Sequence, residues 1–456
     1  MTELKPEQTG PEAAVTSAAS GTAVPSTGAQ DLRSYFNNYL VRVRGGDTGS
    51  LPAVAGLIVL VIIFLIVQPV FRGLYNFGNM FTEGSATIFI AMGLVFVLLL
   101  GEIDLAAGFT AGVAASVMAR LMNGYDLNWW ATIPAAVATG LVIGLVTGLL
   151  VAKVRIPSFV VTLAFFLAFQ GVTLFILNNG PGQHGQIILT DKVVNGFANS
   201  QMPKWAGWLI ALIVIAGYAL QKLSVRIQRQ RQGLTGEPIA VIGAKVGALA
   251  AVSLVLVYML NQNRALNTTP IKKVVYVNHH PQYVTVSPPA VEGVPYVVPV
   301  LVVLFVALTF VLTRTRYGRH LYAVGGNVEA ARRAGINVDV VRITVFMISS
   351  SLAAVGGIMI GSNVSSVAAN SFGGNTLLLA VGAAVIGGTS LFGGRGRILD
   401  AIIGGAVVEV IYNGFGNLFK GANSSAIQLI ALGLALALAA TVDALSRRRA
   451  TASGIG

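Results

Sequence analysis

Long apolar stretches alternate with short polar gaps along almost the whole chain. The clearest stretches are Leu51–Val70, Trp130–Val151, Val160–Leu177, Trp205–Leu220, Val294–Leu312, Ile343–Gly361 and Ile427–Val442. Shorter or interrupted ones are Ala86–Leu100, Leu105–Met122, Ile239–Leu260, Leu377–Leu391 and Ile398–Phe415. A helix of about 20 apolar residues crosses a bilayer, so the pattern predicts an all-α polytopic transmembrane bundle of about 10–12 spans. Glycine-rich runs predict that some of these helices are broken or re-entrant, which is tolerated where protein covers the freed backbone.

The polar gaps set the orientation. Arg33, Arg42 and Arg44 precede the first stretch, and Lys153 and Arg155 follow the one ending at Val151. Lys222, Arg226, Arg229 and Arg231 follow Leu220, and Arg314, Arg316, Arg319, Arg332 and Arg333 crowd the gap from Arg314 to Arg342. Arg395 and Arg397 fill a glycine loop, and Arg447, Arg448 and Arg449 follow the last stretch. With roughly twelve crossings all six groups fall on one face, which predicts a multi-pass protein with both termini in the cytoplasm. The opposite face then carries two sizeable loops, Asn178–Pro203 and Asn261–Gly293. The alternating Val/Tyr/Thr pattern near Lys272 and Lys273 predicts short strands in the second.

Composition agrees. Hydrophobic residues make up 55% of the chain and charged residues 10%, too few charges to cover a soluble protein of this length. The 53 glycines let membrane helices approach closely. The net charge of +13 sits in gaps between spans, where topology and anionic membrane lipid account for it, so nucleic acid is not expected as a partner. The chain has no cysteine, which excludes disulfides and thiol chemistry. Its four histidines are scattered except for His279 and His280 in a polar loop, so no metal site is expected.

Three regions follow. Residues 1–48 are expected to be a disordered cytoplasmic tail, because their Ser/Thr/Ala/Gly/Pro-rich start cannot bury a core. They do not resemble a cleavable signal, and the first span is expected to act as an uncleaved anchor. Residues 49–446 form the transmembrane domain, and residues 447–456 a short basic cytoplasmic tail.

The long gap after Leu312 holds the most informative motif. It includes Gly325-Gly326-Asn327-Val328-Glu329-Ala330-Ala331-Arg332-Arg333-Ala334-Gly335. Asn327 is suited to cap a helix and Glu329 to sit at its positive end. Gly335 is suited to stop it. The result is a short helix outside the membrane, either a plain connector or a segment that seats in a groove of another protein.

This segment resembles the coupling helix of ATP-binding cassette (ABC) importer permeases, with Asn327, Glu329, Ala330, Ala331 and Gly335 at its marked positions. The fuller pattern resembles the xylose/ribose-type sugar permeases. Gly101-Glu102-Ile103-Asp104-Leu105 is similar to that family's Gly-Gly-Ile-Asp-Leu-Ser turn. Ile156-Pro157-Ser158-Phe159-Val160-Val161-Thr162-Leu163 is similar to its Pro-Ser-Phe-Ile-x-Thr-Leu segment, and Ile386–Gly396 to its most specific signature. Glu102 departs from the usual Gly, and Leu377-Leu378-Leu379-Ala380 replaces a segment that often reads Glu-Leu-Asp-Ala.

The resemblance implies a non-enzymatic permease subunit in a bacterial plasma (inner) membrane. It implies four associates: an ATP-binding cassette subunit that holds ATP and Mg, an extracytoplasmic sugar-binding protein, a second copy of the chain, and membrane lipid. The chain contains no Gly-x-x-x-x-Gly-Lys-[Ser/Thr] loop of its own. The expected cargo is a monosaccharide, xylose or another pentose. An ion-coupled carrier and a branched-chain amino-acid permease are the competing readings.

Two further sets of residues carry expectations. Glu102, Asp104 and Glu409 are candidate intramembrane carboxylates, since such groups are costly and default to functional readings. For Asp104 the competing reading is a cap on the helix that follows. Neutral polyols need hydrogen-bonding groups and aromatic faces, so Phe165, Phe166, Phe169, Gln170 and Asn178 are candidates for the translocation path. The segment Gly101–Gly108 can also be laid on Gly387–Gly394, a weak internal echo.

Overall fold

The computed structural model describes residues 49–179, 185–234, 236–265, 271–277, 280–286, 290–418 and 423–452. The N-terminal tail, His279 and residues 453–456 lie outside that set. The architecture is a bundle of helices with two small strand pairs.

Helices α1 (Leu51–Val67), α2 (Leu74–Leu99), α3 (Ala107–Gly124), α4 (Trp129–Ala152) and α5 (Ser158–Asn178) come first. Then follow β1 (Gln186–Ile188), α6 (Lys192–Asn199), α7 (Lys204–Arg231) and α8 (Ile239–Leu260). Strands β2 (Ile271–Val277) and β3 (His280–Val286) form an antiparallel hairpin, in the loop whose alternation predicted strands. The second half comprises α9 (Val297–Arg314), α10 (Arg316–Gly326), α11 (Val328–Arg333), α12 (Val338–Val364), β4 (Ser366–Ala368), α13 (Gly374–Ile386), α14 (Ile398–Leu418) and α15 (Asn423–Ala452).

Ten segments among the described residues are long and apolar enough to cross a membrane. This agrees with the expected polytopic bundle. Boundaries differ in two instructive places. The stretch expected to begin at Ala86 begins at Leu74, because Asn76, Thr82 and Ser85 are buried against neighbours rather than facing lipid. The stretch expected to reach Leu391 stops at Ile386, where Gly388 turns the backbone to φ +120°.

Helix α12 is the hub. It packs on α2, α3 and α4, and at one end on α6. The α4 contact is made possible by Gly140, Gly144 and Gly148, one turn apart on a single face. A β-carbon at Gly144 would lie 2.6 Å from the Met347 Cα, and one at Gly148 2.6 Å from the Ile343 Cα. No side chain fits there, so the two backbones touch and dispersion contacts run the length of the seam.

The bundle has two chemically different ends. At the basic end, Lys153 after α4 bridges Asp339 in the first turn of α12 at 2.9 Å. Arg397 before α14 reaches the Ser50 hydroxyl at 3.0 Å. At the opposite end, β1 pairs with β4. There Ser362 near the end of α12 donates to the Val194 carbonyl of α6 at 2.6 Å and accepts from the Ala198 amide. Arg264, which is buried, donates to Gln201 at 2.9 Å and to the Gly293 carbonyl, tying down the base of the β2–β3 loop. Burial pushes its pKa down, and these hydrogen bonds replace the lost water.

Candidate functional site

All four sequence motifs meet at the basic end. The turn Gly101–Ala106, between α2 and α3, is the meeting point. Gly101 closes α2 with φ +73°. The Ile103 amide donates to Ser158 Oγ at 3.2 Å, and Thr162 Oγ1 donates to the Ile103 carbonyl at 3.3 Å. The Pro-Ser-Phe segment at the start of α5 therefore clamps the turn from one side.

The glycine loop between α13 and α14 closes it from another. The Gly394 amide donates to the Leu99 carbonyl at 2.9 Å. A β-carbon at Gly393 would stand 2.9 Å from the Gly325 carbonyl oxygen and 3.0 Å from the Gly101 nitrogen. Gly325, at the end of α10, also lies against the Leu99 carbonyl. Three backbone segments thus share a space that admits no side chains. Gly393 and Gly394 adopt φ +85° and +74°, a region glycine enters without strain. The two segments of the internal echo are both turns between helices, and they touch each other here.

Tyr322 on α10 locks the junction by donating its hydroxyl to the Gly396 carbonyl at 2.7 Å. Burial, reinforced by the negative charge of Asp400, pushes its pKa up, so the hydroxyl stays a donor. Tyr317, one turn earlier, is pushed up to about 12 by burial, partly offset by the Thr344 hydroxyl at 3.1 Å.

Helix α11 projects from this junction. Asn327 Oδ1 accepts from the Ala330 amide at 2.9 Å, which caps the helix. At the other end the Ile336 amide bonds to the Ala331 carbonyl and the Gly335 amide to the Arg332 carbonyl, with Gly335 at φ +81°. That is a Schellman stop, and it explains the glycine. Ala331 is buried, with Val328 and Ile336 packed beside it on the core. Glu329, Ala330, Arg332 and Arg333 face outward, and Glu329 pairs with Arg332 at 2.8 Å. The helix offers a small outward face of alanine and paired charge on a rigid base.

The three carboxylates fall in different places. Glu102 Oε1 lies 3.1 Å from Arg342 Nε on α12. The contact pairs the charges, although the angle is poor for a hydrogen bond. Asp104 is buried. Its Oδ1 accepts from the Ala106 amide at 3.0 Å and its Oδ2 from Ser349 of α12 at 3.1 Å. It braces the turn before α3, whose N-cap is Ala106, and fastens that turn to the hub. Glu409 faces the bundle against α2, its Oε2 3.4 Å from where a β-carbon on Gly84 would stand, and its Oε1 has no hydrogen-bond partner.

The aromatic set does not gather into one group. Phe165 and Phe169 stack at 4.9 Å, whereas Phe166 turns inward, edge-on to Phe109 of α3 at 4.8 Å. Gln170 and Asn178 are exposed on α5. Among the described residues no three His, Asp or Glu side chains are grouped to hold a metal ion.

The sequence reading did not single out Arg342, Ser349 or Tyr322. Each acts through a partner far away in the chain. The one available signal was Arg342 itself, a charge at the threshold of an apolar stretch.

Comparison with known proteins agrees with this architecture. The profile of the family described as branched-chain amino acid transport system / permease component matches residues 76–226 and 238–440. The xylose transport system permease protein XylH of Escherichia coli K12 is 30% identical over 376 residues, 82% of this chain and 86% of that one. The XylH protein of Haemophilus influenzae is 31% identical over 341 residues, 74% and 81% of the two chains. The ribose import permease protein RbsC of Escherichia coli K12 is 28% identical over 388 residues, 85% and 91%. No solved structure matches the chain significantly. Matched along most of its length, this multi-pass membrane protein belongs to the branched-chain amino acid transport system / permease component family.

Proposed function

We propose that the chain is the membrane-spanning subunit of an ATP-driven importer for a monosaccharide, xylose or another pentose. It sits in a bacterial plasma membrane with its basic end and both termini in the cytoplasm. A separate ATP-binding cassette subunit carries ATP and Mg, an extracytoplasmic binding protein delivers the sugar, and two copies of the chain enclose the path. The names of the XylH and RbsC relatives support the cargo class. The positive-inside rule supports the orientation.

The observation that carries the reading is the mounting of α11. Its outward face presents Glu329, Ala330 and Arg333, while Asn337 caps α12 immediately after it by accepting from the Val340 amide at 3.1 Å. A push on α11 therefore acts on α12. That helix runs 27 residues, and near its far end the Ser362 carbonyl accepts from Asn199 of α6 at 2.7 Å. The Glu102–Arg342 and Asp104–Ser349 contacts pass the same displacement to the turn before α3. Closure of the two ATPases rocks the hub against α2, α3 and α4, and a weakly binding path opens first to one side and then to the other. Phe165, Phe166, Phe169, Gln170 and Asn178 are proposed to contribute to its wall.

The test is uptake of labelled xylose by vesicles holding the chain, its ATPase and its binding protein. Removal of Glu329–Ala331 is expected to abolish ATPase association and uptake together. Retention of both contradicts the coupling role. A second reading, transport of branched-chain amino acids, rests on the family's description. Competition decides it: excess ribose or arabinose should suppress xylose uptake, and leucine should not.

A further inference from the structure

The ends of α7 and α9 frame a cleft of about 190 Å³ that no step above uses. Lys222, Arg226, Arg229 and Arg314 line it, with Glu237 as the lone acid. Lys222, Arg226 and Arg229 recur at helical spacing on one face of α7. Glu237 is shared between Lys245 at 2.8 Å and Lys222 at 3.9 Å, Arg226 donates to the Glu237 carbonyl, and the Lys222 ammonium also lies 5.7 Å from the centre of the Tyr218 ring. Arg229 and Arg314 have no acidic partner among the described residues. Among the described residues the cleft holds more positive than negative charge.

What lies beside the cleft is apolar. The α7–α8 hairpin joins the bundle through Ala211, Val257 and Leu260, all in its half away from the cleft. Among the described residues the buried apolar clusters take nothing from residues 212–256. Leu220, Leu223 and Ile227 on α7 and Val303, Val306 and Phe310 on α9 stay exposed. A free anion would use the cations alone. An anionic phospholipid would use both parts, its phosphate among the arginines and its acyl chains along the uncovered helices.

We propose that this cleft binds the phosphate headgroup of an anionic phospholipid, which wedges between the α7–α8 hairpin and α9 in the leaflet at the basic end. The proposal does not depend on the cargo or on the ATPase, because bound lipid is counted without transport.

The full chain, purified in uncharged detergent, is offered equal phosphatidylglycerol and phosphatidylcholine, and retained lipid is counted by native mass spectrometry. Wild-type protein is expected to prefer phosphatidylglycerol by roughly tenfold or more. Arg229→Gln with Arg314→Gln is expected to lose that preference. Arg316→Gln with Arg319→Gln, which removes two charges from exposed positions on α10, is expected to keep it. Millimolar inorganic phosphate should not displace the lipid. Equal retention of the two lipids, full preference in the Arg229/Arg314 variant, or displacement by phosphate alone would each overturn the proposal. The two wild-type arms can still overturn it if the variant fails to fold.

Discussion

Arg342 and Glu102 face each other at 3.1 Å, one in the second turn of α12 and the other in the turn that ends α2. Both side chains are mostly covered, so the pair is screened less than a surface bridge. It joins the helix that follows α11 to the turn that precedes α3. Glu102→Gln and Arg342→Gln are each expected to lower coupled uptake about tenfold, because one charge is left half-buried and alone. A double-mutant cycle on thermal stability should return a coupling of about 1 kcal/mol or more. A coupling near zero would show that the two charges act independently.

Gly144 sets a second expectation. Gly144→Leu must push α4 away from the α12 backbone, an overpacking cost of about 3 kcal/mol or more. Gly243→Leu on α8 meets open space and should leave stability within about 0.5 kcal/mol. Melting of the two variants in one detergent compares them directly. Equal melting temperatures would mean that the seam between α4 and α12 is not close-packed.

Asn327 and Glu329 separate folding from docking. Asn327→Ala removes a cap worth about 1 kcal/mol and frays α11, so ATPase binding weakens through disorder. Glu329→Lys alters an exposed charge and should leave melting nearly unchanged while cutting ATPase association about tenfold. Titration of the detergent-solubilised chain with its ATPase measures both. If Glu329→Lys binds as well as the unmodified chain, the outward face of α11 is not the contact.

The tyrosines predict a pH signature. Tyr317 and Tyr322 are held neutral by burial, so their folded pKa values lie above the ordinary value of about 10. The stability they add is fully present below about pH 10 and is lost as pH rises through the raised values. Tyr317 and Tyr322 should ionise late in an ultraviolet titration, with Tyr317 near 12. Tyr322→Phe should remove one late transition and cost about 1 kcal/mol for the bond to Gly396. An unchanged titration in that variant would contradict the lock.

Hydropathy made the bundle readable, and turn chemistry made α11 readable down to its cap and its glycine stop. Other features were hidden for physical reasons. The first turns of α2 carry Asn76, Thr82 and Ser85, which look like a loop until neighbours bury them. Gly101 and Gly393 each read as part of a local turn, and Gly325 as the lead-in to α11. That they stack on one another depends on contacts spanning most of the chain, which no local pattern encodes. Phe166 looked like a sugar platform, and its edge-on contact with Phe109 equally suits ordinary packing.

The central claim is that this permease has no motor of its own and is worked from the basic end through α11. Vesicles carrying the purified chain alone, under an imposed proton or sodium gradient, should not accumulate labelled xylose. Adding the ATPase, ATP and the binding protein should produce uptake that survives an uncoupler and disappears when Glu329–Ala331 are removed. Accumulation by the chain alone, driven by the gradient, would contradict the account.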